Sequence, residues 1–183
     1  MRIRQHAALG LAATACLVLS GCTNAADWNA NRSSQIHSYD TSSIQAQPDI
    51  IAKLPQGALE DGVLDVAAST DYAPAEFLDP SGKAVGYDVD LTNAIAAVLG
   101  VKGKVHTAEF DSIIASIGSK YDAGISSFTV TPERTAEVDM TAYINVGSRF
   151  NVQAGNPKEV DTSDHLKLCG RTIGVQVGTG QEA

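Results

Sequence analysis

Between Val63 and Val130, short apolar runs alternate with stretches of helical period, and this alternation restricts the chain to architectures built on a mainly parallel sheet. Val63-Leu64-Asp65-Val66-Ala67-Ala68 reads as a strand, residues 69–77 as a loop, Asp79-Pro80-Ser81-Gly82 as a turn, and 83–86 as a short returning strand. Asp88 is then placed as a helix N-cap, with Asp90 in the first turn where a carboxylate favours the helix dipole. Leu91, Ile95, Val98 and Leu99 recur at helical spacing and predict one apolar face, which Gly100 terminates. The pattern repeats as a strand over 104–107, a helix over 112–117 opened by Asp111, and a strand over 123–126. A short helix over 131–135, an extended stretch from 138, and strands over 147–153 and 172–177 follow. Strands separated by helices run parallel, and a parallel sheet is covered on both faces, so the expected class is α/β.

The 62 residues ahead of this body have a different character. Met-Arg-Ile-Arg opens an apolar run over 7–19 that is too short to cross a bilayer comfortably and reads as an export signal over residues 1–21. Leu19-Ser20-Gly21-Cys22 resembles the bacterial lipobox, which implies cleavage before Cys22 and a diacylglycerol on its sulfur. The expected location is the outer face of the cytoplasmic membrane, at the cell surface or in the periplasm, held by that lipid. Residues 22–61, rich in Asn, Ser, Gln, Ala and Thr at first, predict a flexible tether, with one short helix over 48–54 ended by Pro55. Loss of the signal removes Arg2 and Arg4, so 13 basic residues become 11 against 21 acidic, a net charge of −10. Such a balance excludes nucleic acid as a partner.

Gly86-Tyr87-Asp88-Val89-Asp90-Leu91-Thr92-Asn93-Ala94-Ile95-Ala96-Ala97 closely resembles the signature of the family 3 extracellular solute-binding proteins, the amino-acid receptors of ABC importers. Supporting pieces follow in family order: Tyr72-Ala73-Pro74, Lys120-Tyr121-Asp122, Ser126-Ser127-Phe128-Thr129-Val130-Thr131-Pro132-Glu133-Arg134, Val138-Asp139-Met140 and Gly174-Val175-Gln176-Val177-Gly178-Thr179. The resemblance implies a periplasmic-binding-protein-like two-lobed fold of type II, with lobe 1 over 62–148 nearly complete and lobe 2 beginning at 149 and incomplete at 183. It implies a monomer that traps a free amino acid between the lobes and delivers it to an ABC permease and its ATPase subunits.

The same resemblance carries residues. Arg134 matches the carboxylate-binding arginine of the family, a role that suits a planar guanidinium fork. Ser127 and Thr129 match contacts to the ligand's amine or carboxylate, with Ser126 secondary, and Tyr72 and Phe110 match rings that wall the side-chain pocket. Thr179 and Gln181 match contacts on the lobe-2 side. Ala75 stands where many relatives carry an aromatic, Gly180 interrupts a usual threonine pair, and no acid present matches the lobe-2 aspartate for the ammonium group. Asp71 ranks low as an acid for a basic side chain. Cys169 either resembles a position that some relatives bridge to a later cysteine or is a buried free thiol.

No catalytic constellation is visible. Asp88 and Asp90 at a helix start are more simply explained by capping and the dipole than by acid–base chemistry. His37, His106 and His165 share no metal-ligand spacing, and Gly174, Gly178 and Gly180 lack the Lys-Ser/Thr ending of a phosphate loop. The expectation is therefore a binding protein, not an enzyme, with no metal and no cofactor. A same-fold enzyme such as a dehydratase, or a nonfunctional truncated product, are the alternatives.

Overall fold

The computed structural model describes residues 38–182. The signal over 1–21, the lipidation site at Cys22 and the first part of the tether lie outside the described residues.

The first strand, β1 (Val63–Ala68), is the centre of the fold because four of its six side chains, Leu64, Val66, Ala67 and Ala68, are apolar and buried. Its two faces separate by the alternation of a strand. Leu64 and Val66 point to one side and pack with Ala96, Leu99 and Val101, whereas Ala67 points to the other and packs with Ile113 and Tyr121. Two further strands flank it in parallel, β5 (Lys102–Thr107) and β6 (Ala123–Gly124), in the order β5-β1-β6. The helix over Tyr87–Leu99 covers the first face, and the helix over Phe110–Ser116 covers the second. This is the covered parallel sheet that the alternating sequence predicts.

Numbered in chain order, the helices are α1 (Pro48–Ile51), α2 (Tyr87–Leu99), α3 (Phe110–Ser116) and α4 (Pro132–Thr135). A single 3-10 turn at His165–Leu168, unforeseen in the sequence, is capped by the Asp164 side chain accepting from the Leu166 N–H. The segment expected as a loop over 69–77 instead holds two strands of a small antiparallel sheet, β2 (Asp71–Tyr72) and β3 (Glu76–Leu78), completed by β4 (Ala84–Val85). Each strand is two or three residues long, too short to show a period.

Helix α2 departs from its expected details in two ways. Its N-cap is Gly86, not Asp88, which lies in the first turn, fully buried. Gly86 has φ 122°, and a Cβ there would collide with the carbonyl groups of Pro74 and Ala75, so the helix starts hard against the hairpin. The buried face runs through Asp88, Val89, Thr92 and Ala96, while Ile95 is exposed. The sequence favours the larger apolar residues, but the close approach of α2 to the sheet selects the small ones at 92 and 96. Gly100 ends the helix in the left-handed region, as expected.

Residues 39–51, read in the sequence as the last part of a tether, lie along α2. The Tyr39 N–H donates to Asp90 Oδ2 at 2.8 Å and the Gln47 N–H to the Val98 carbonyl at 2.8 Å. Helix α1 packs beside them, its Ile51 close to Gly100.

The strands expected over 147–153 and 172–177 do not form. Ile173, Val175 and Val177 keep the alternation of a strand yet are exposed, and no ladder among the described residues takes up their backbone groups. A strand is stable only when a neighbour satisfies its N–H and C=O groups, so pattern alone leaves it extended. Cys169 is a free thiol and exposed, which corrects the burial in one of its two readings.

Candidate ligand cleft

The three parallel strands all deliver their chain to the same edge of the sheet, the edge at which open α/β sheets bind ligands. Ser69 and Thr70 follow β1, Phe110 follows β5, and Ser126 to Arg134 follow β6. Hydrogen bonds tie these exits together. The Ser69 N–H donates to Ser126 Oγ at 3.0 Å, and the Thr70 and Thr107 hydroxyls meet at 2.9 Å.

Arg134 lies in α4, whose first turn is fixed by Pro132 and by the Thr131 hydroxyl accepting from the Arg134 N–H. Its guanidinium bridges two backbone carbonyl groups, with Nη1 donating to Thr129 O and Nη2 to Gly178 O, each at 2.7 Å. It also stands over the rings of Phe110 and Phe128, 5.7 and 5.3 Å from their centroids. The two rings are 4.6 Å apart and tilted. Phe110, Phe128, Arg134 and Gly178 border a cavity of about 190 Å³ whose rim carries Asp111, Glu133 and Glu137. A second cavity of about 180 Å³ lies on the other side of Phe128, lined by Ser127, Thr129, Tyr143 and Val146.

The residues singled out in the sequence therefore divide. Arg134 and Phe110 meet at the first cavity, and Ser127 and Thr129 line the second. Ser126 is buried beneath them, where its hydroxyl donates to Glu76 Oε1 at 2.5 Å. Tyr72 lies on β2, 54% exposed, and borders neither cavity. Thr179 bonds within its own segment, its Oγ1 donating to Gln176 O at 2.7 Å, whereas Gln181 Nε2 donates to the distant Ser148 Oγ at 2.6 Å. Asp71 accepts from the Ser69 hydroxyl at 3.0 Å.

Ser127 adopts φ 50°, the left-handed region, and its N–H donates to the Tyr143 hydroxyl at 3.3 Å. That hydroxyl in turn donates to Asp88 Oδ2 at 2.8 Å. Nothing in the linear order of residues selects Glu76, Asp88 or Tyr143 as partners of this turn. The one available signal was an acid between Ala75 and Phe77 in an apolar stretch, because a charged residue in a buried strand has to be satisfied. Burial pushes the Glu76 carboxyl up to about 9, and it pushes Asp88 and the Tyr143 phenol upward as well. Among the described residues no group of three or more His, Cys, Asp or Glu side chains is arranged to hold a metal ion.

With this geometry in place, similarity to known proteins becomes informative. The family model for bacterial extracellular solute-binding proteins, family 3, matches residues 64–176. The chain belongs to this family. Its α/β sheet is accordingly that of a periplasmic-binding-protein-like fold. This family 3 chain is 28% identical over 177 residues to the arginine-binding protein ArgT of Corynebacterium glutamicum, covering 96% of the chain and 55% of ArgT. It is 34% identical over 125 residues to the L-cystine-binding protein TcyJ of Escherichia coli K12, covering 67% of the chain and 46% of TcyJ. Among solved structures, an ancestral arginine-binding protein bound to arginine superposes with a TM-score of 0.41 at 43% identity, over 43% of this chain and 35% of that one. The chain spans about half the length of the curated relatives it matches.

Proposed function

We propose that this chain is the ligand-capturing part of an amino-acid ABC importer, binding a free polar or charged amino acid without turnover and presenting it to a membrane permease. The observation that carries the reading is Arg134, held at the carboxyl edge of the sheet over two aromatic rings with both arms of its fork aimed at carbonyl oxygens. A ligand carboxylate offers the same acceptor geometry with a full negative charge, so it competes favourably for the arm that now holds Gly178 O. Phe110 and Phe128 supply an apolar floor, and Ser127 and Thr129 are the adjacent polar contacts. Tyr72, Thr179 and Gln181 complete the site if their segments close over it, and Ser126 supports it from below. The acids around the first cavity favour a ligand with a basic side chain, in keeping with an arginine-binding relative.

In this reading residues 62–148 form the first lobe and 149–183 begin the second, while residues 1–21 direct export and a lipid on Cys22 holds the protein at the membrane. Calorimetry with L-arginine and L-cystine tests it. Binding of one of them is expected, and Arg134→Ala should weaken it about 10–100-fold, the loss of one or more charge-assisted hydrogen bonds. Undiminished binding in that variant would remove Arg134 from the site, and conversion of the amino acid to a product would point to an enzyme.

A further inference from the structure

Beneath the candidate cleft, two carboxyl groups are buried, and among the described residues neither is in an ion pair. Glu76 is on β3 and Asp88 in the first turn of α2, and both side chains are fully buried. One oxygen of each is accounted for, Glu76 Oε1 accepting from the Ser126 hydroxyl and Asp88 Oδ2 from the Tyr143 hydroxyl. The other two, Glu76 Oε2 and Asp88 Oδ1, are buried and meet no N–H or O–H donor among the described residues. The backbone sets the two carboxyl groups next to each other, since the Asp88 N–H donates to the carbonyl of Ala75, the residue before Glu76, at 2.9 Å. Two carboxylates cannot use that proximity, since both only accept. A single proton satisfies both orphaned oxygens at once.

We propose that Glu76 and Asp88 hold one proton between them and that this pair is the positioning element of the ligand-facing turn, gripping Ser126 directly and the Ser127 amide through Tyr143. The proton resides on Glu76, because glutamate is intrinsically the weaker acid of the two and the negative field of Asp71 falls on Glu76. Four parts of the fold converge on the pair: the β2–β3 hairpin, the start of α2, the exit of β6, and the extended chain around Tyr143. Its grip explains how Ser127, which is not a glycine, keeps φ 50°.

The other titratable groups around the pair are Asp71 on β2, Tyr87 in the first turn of α2, and Tyr143. Asp71 adds to the negative field and so favours retention of the proton, and each tyrosine is neutral in the physiological range. Loss of the proton leaves two adjacent charges in the interior, and the only relief is for the hairpin and α2 to separate. That motion would carry Ser126 one way and Tyr143, with the Ser127 amide, the other.

The proposal of a positioning role rests on the cleft reading above, so its test is read without a ligand first. In the full chain, the side-chain carboxyl carbon of Glu76 is followed by NMR against pH, together with the amide signals of Ser69 and Ser127. The expected result is one titration of Glu76 far above the ordinary carboxylate value of 4.5, with both amides moving at the same midpoint. Tyr143→Phe should free the Ser127 amide from that titration while Ser69, linked through Ser126, still follows it. Glu76→Gln, which keeps an acceptor for Ser126 and a donor for Asp88, should stay folded and abolish the response in both amides. Titration of Glu76 at the ordinary value overturns the shared proton, and a Ser127 response that survives in Tyr143→Phe overturns the positioning path.

L-Arginine calorimetry forms the second arm. The ratio of wild-type to Glu76→Gln affinity cancels the ligand's own titration, and it should fall about tenfold as the Glu76 proton is lost, the equivalent of one hydrogen bond. A ratio that does not change with pH overturns the positioning role. If the wild-type protein binds no L-arginine at any pH, the arginine preference fails instead, and the carboxyl and amide titrations still decide the pair.

Discussion

At the scale of single residues, the protein places its most informative side chains where polarity and burial conflict. Glu76 is the sharpest case. Its carboxyl is pushed up to about 9 in the folded protein, first by burial and then by neighbouring acids, whereas the unfolded chain titrates near the ordinary value of 4.5. A group whose folded value is raised contributes stability that is complete below the unfolded value and is lost as pH rises through the folded one. Chemical denaturation of the wild-type protein should therefore show stability declining between about pH 4.5 and about 9 on account of this group, and Glu76→Gln should flatten that decline. Ile113 makes the complementary, purely apolar case. It is fully buried against Ala67 and Tyr121, and Ile113→Ala should cost about 2–5 kcal/mol in a urea titration.

Among the elements, α2 is the one on which the others depend. It covers one face of the sheet, contributes Asp88 to the buried pair, and receives residues 39–51 along its outer side. Gly86 is the point at which it meets the hairpin. Gly86→Ala puts a Cβ against the Pro74 and Ala75 carbonyl groups at φ 122°, and thermal unfolding should report a loss of about 1–3 kcal/mol or more. Residues 39–47 can be examined by deletion. Removing them takes away the hydrogen bonds to Asp90 and Val98, and hydrogen exchange of the α2 amides should accelerate while the β1 amides remain protected. The helix was legible in the sequence because Gly86 to Gly100 carries its start, its period and its stop. Its buried face was not, since Thr92 and Ala96 face the sheet by virtue of their small size, and hydropathy ranks Leu91 and Ile95 above them.

At the scale of the whole molecule, the family membership and the carboxyl-edge site agree with a solute-binding role, and the proposed lipid on Cys22 would set where that role is exercised. Cys22→Ala expressed in a bacterial host should shift the protein from the membrane fraction to the soluble exported fraction, and incorporation of labelled fatty acid should be lost with it. Unchanged membrane association would exclude the lipid. The formal charge of the whole chain, −8, works against attachment to anionic lipid in place of such an anchor.

What the sequence determined by itself is local. Apolar β1, the helix between Gly86 and Gly100, the Thr131-Pro132 start that aims Arg134, and the six spaced segments of the family resemblance are all written in contiguous residues, where spacing and backbone preference act directly. What only the tertiary structure decided is non-local. Glu76, Asp88, Ser126 and Tyr143 are separated by up to 67 positions in the chain, and none announces the others. Thr172 to Val177 shows the same limit from the opposite side, because its alternation is that of a strand but a strand exists only where another strand lies beside it. Local preferences can propose an element. The desolvation of a charge and the pairing of backbone groups depend on which distant segments arrive next to it, and those terms chose the network beneath the cleft.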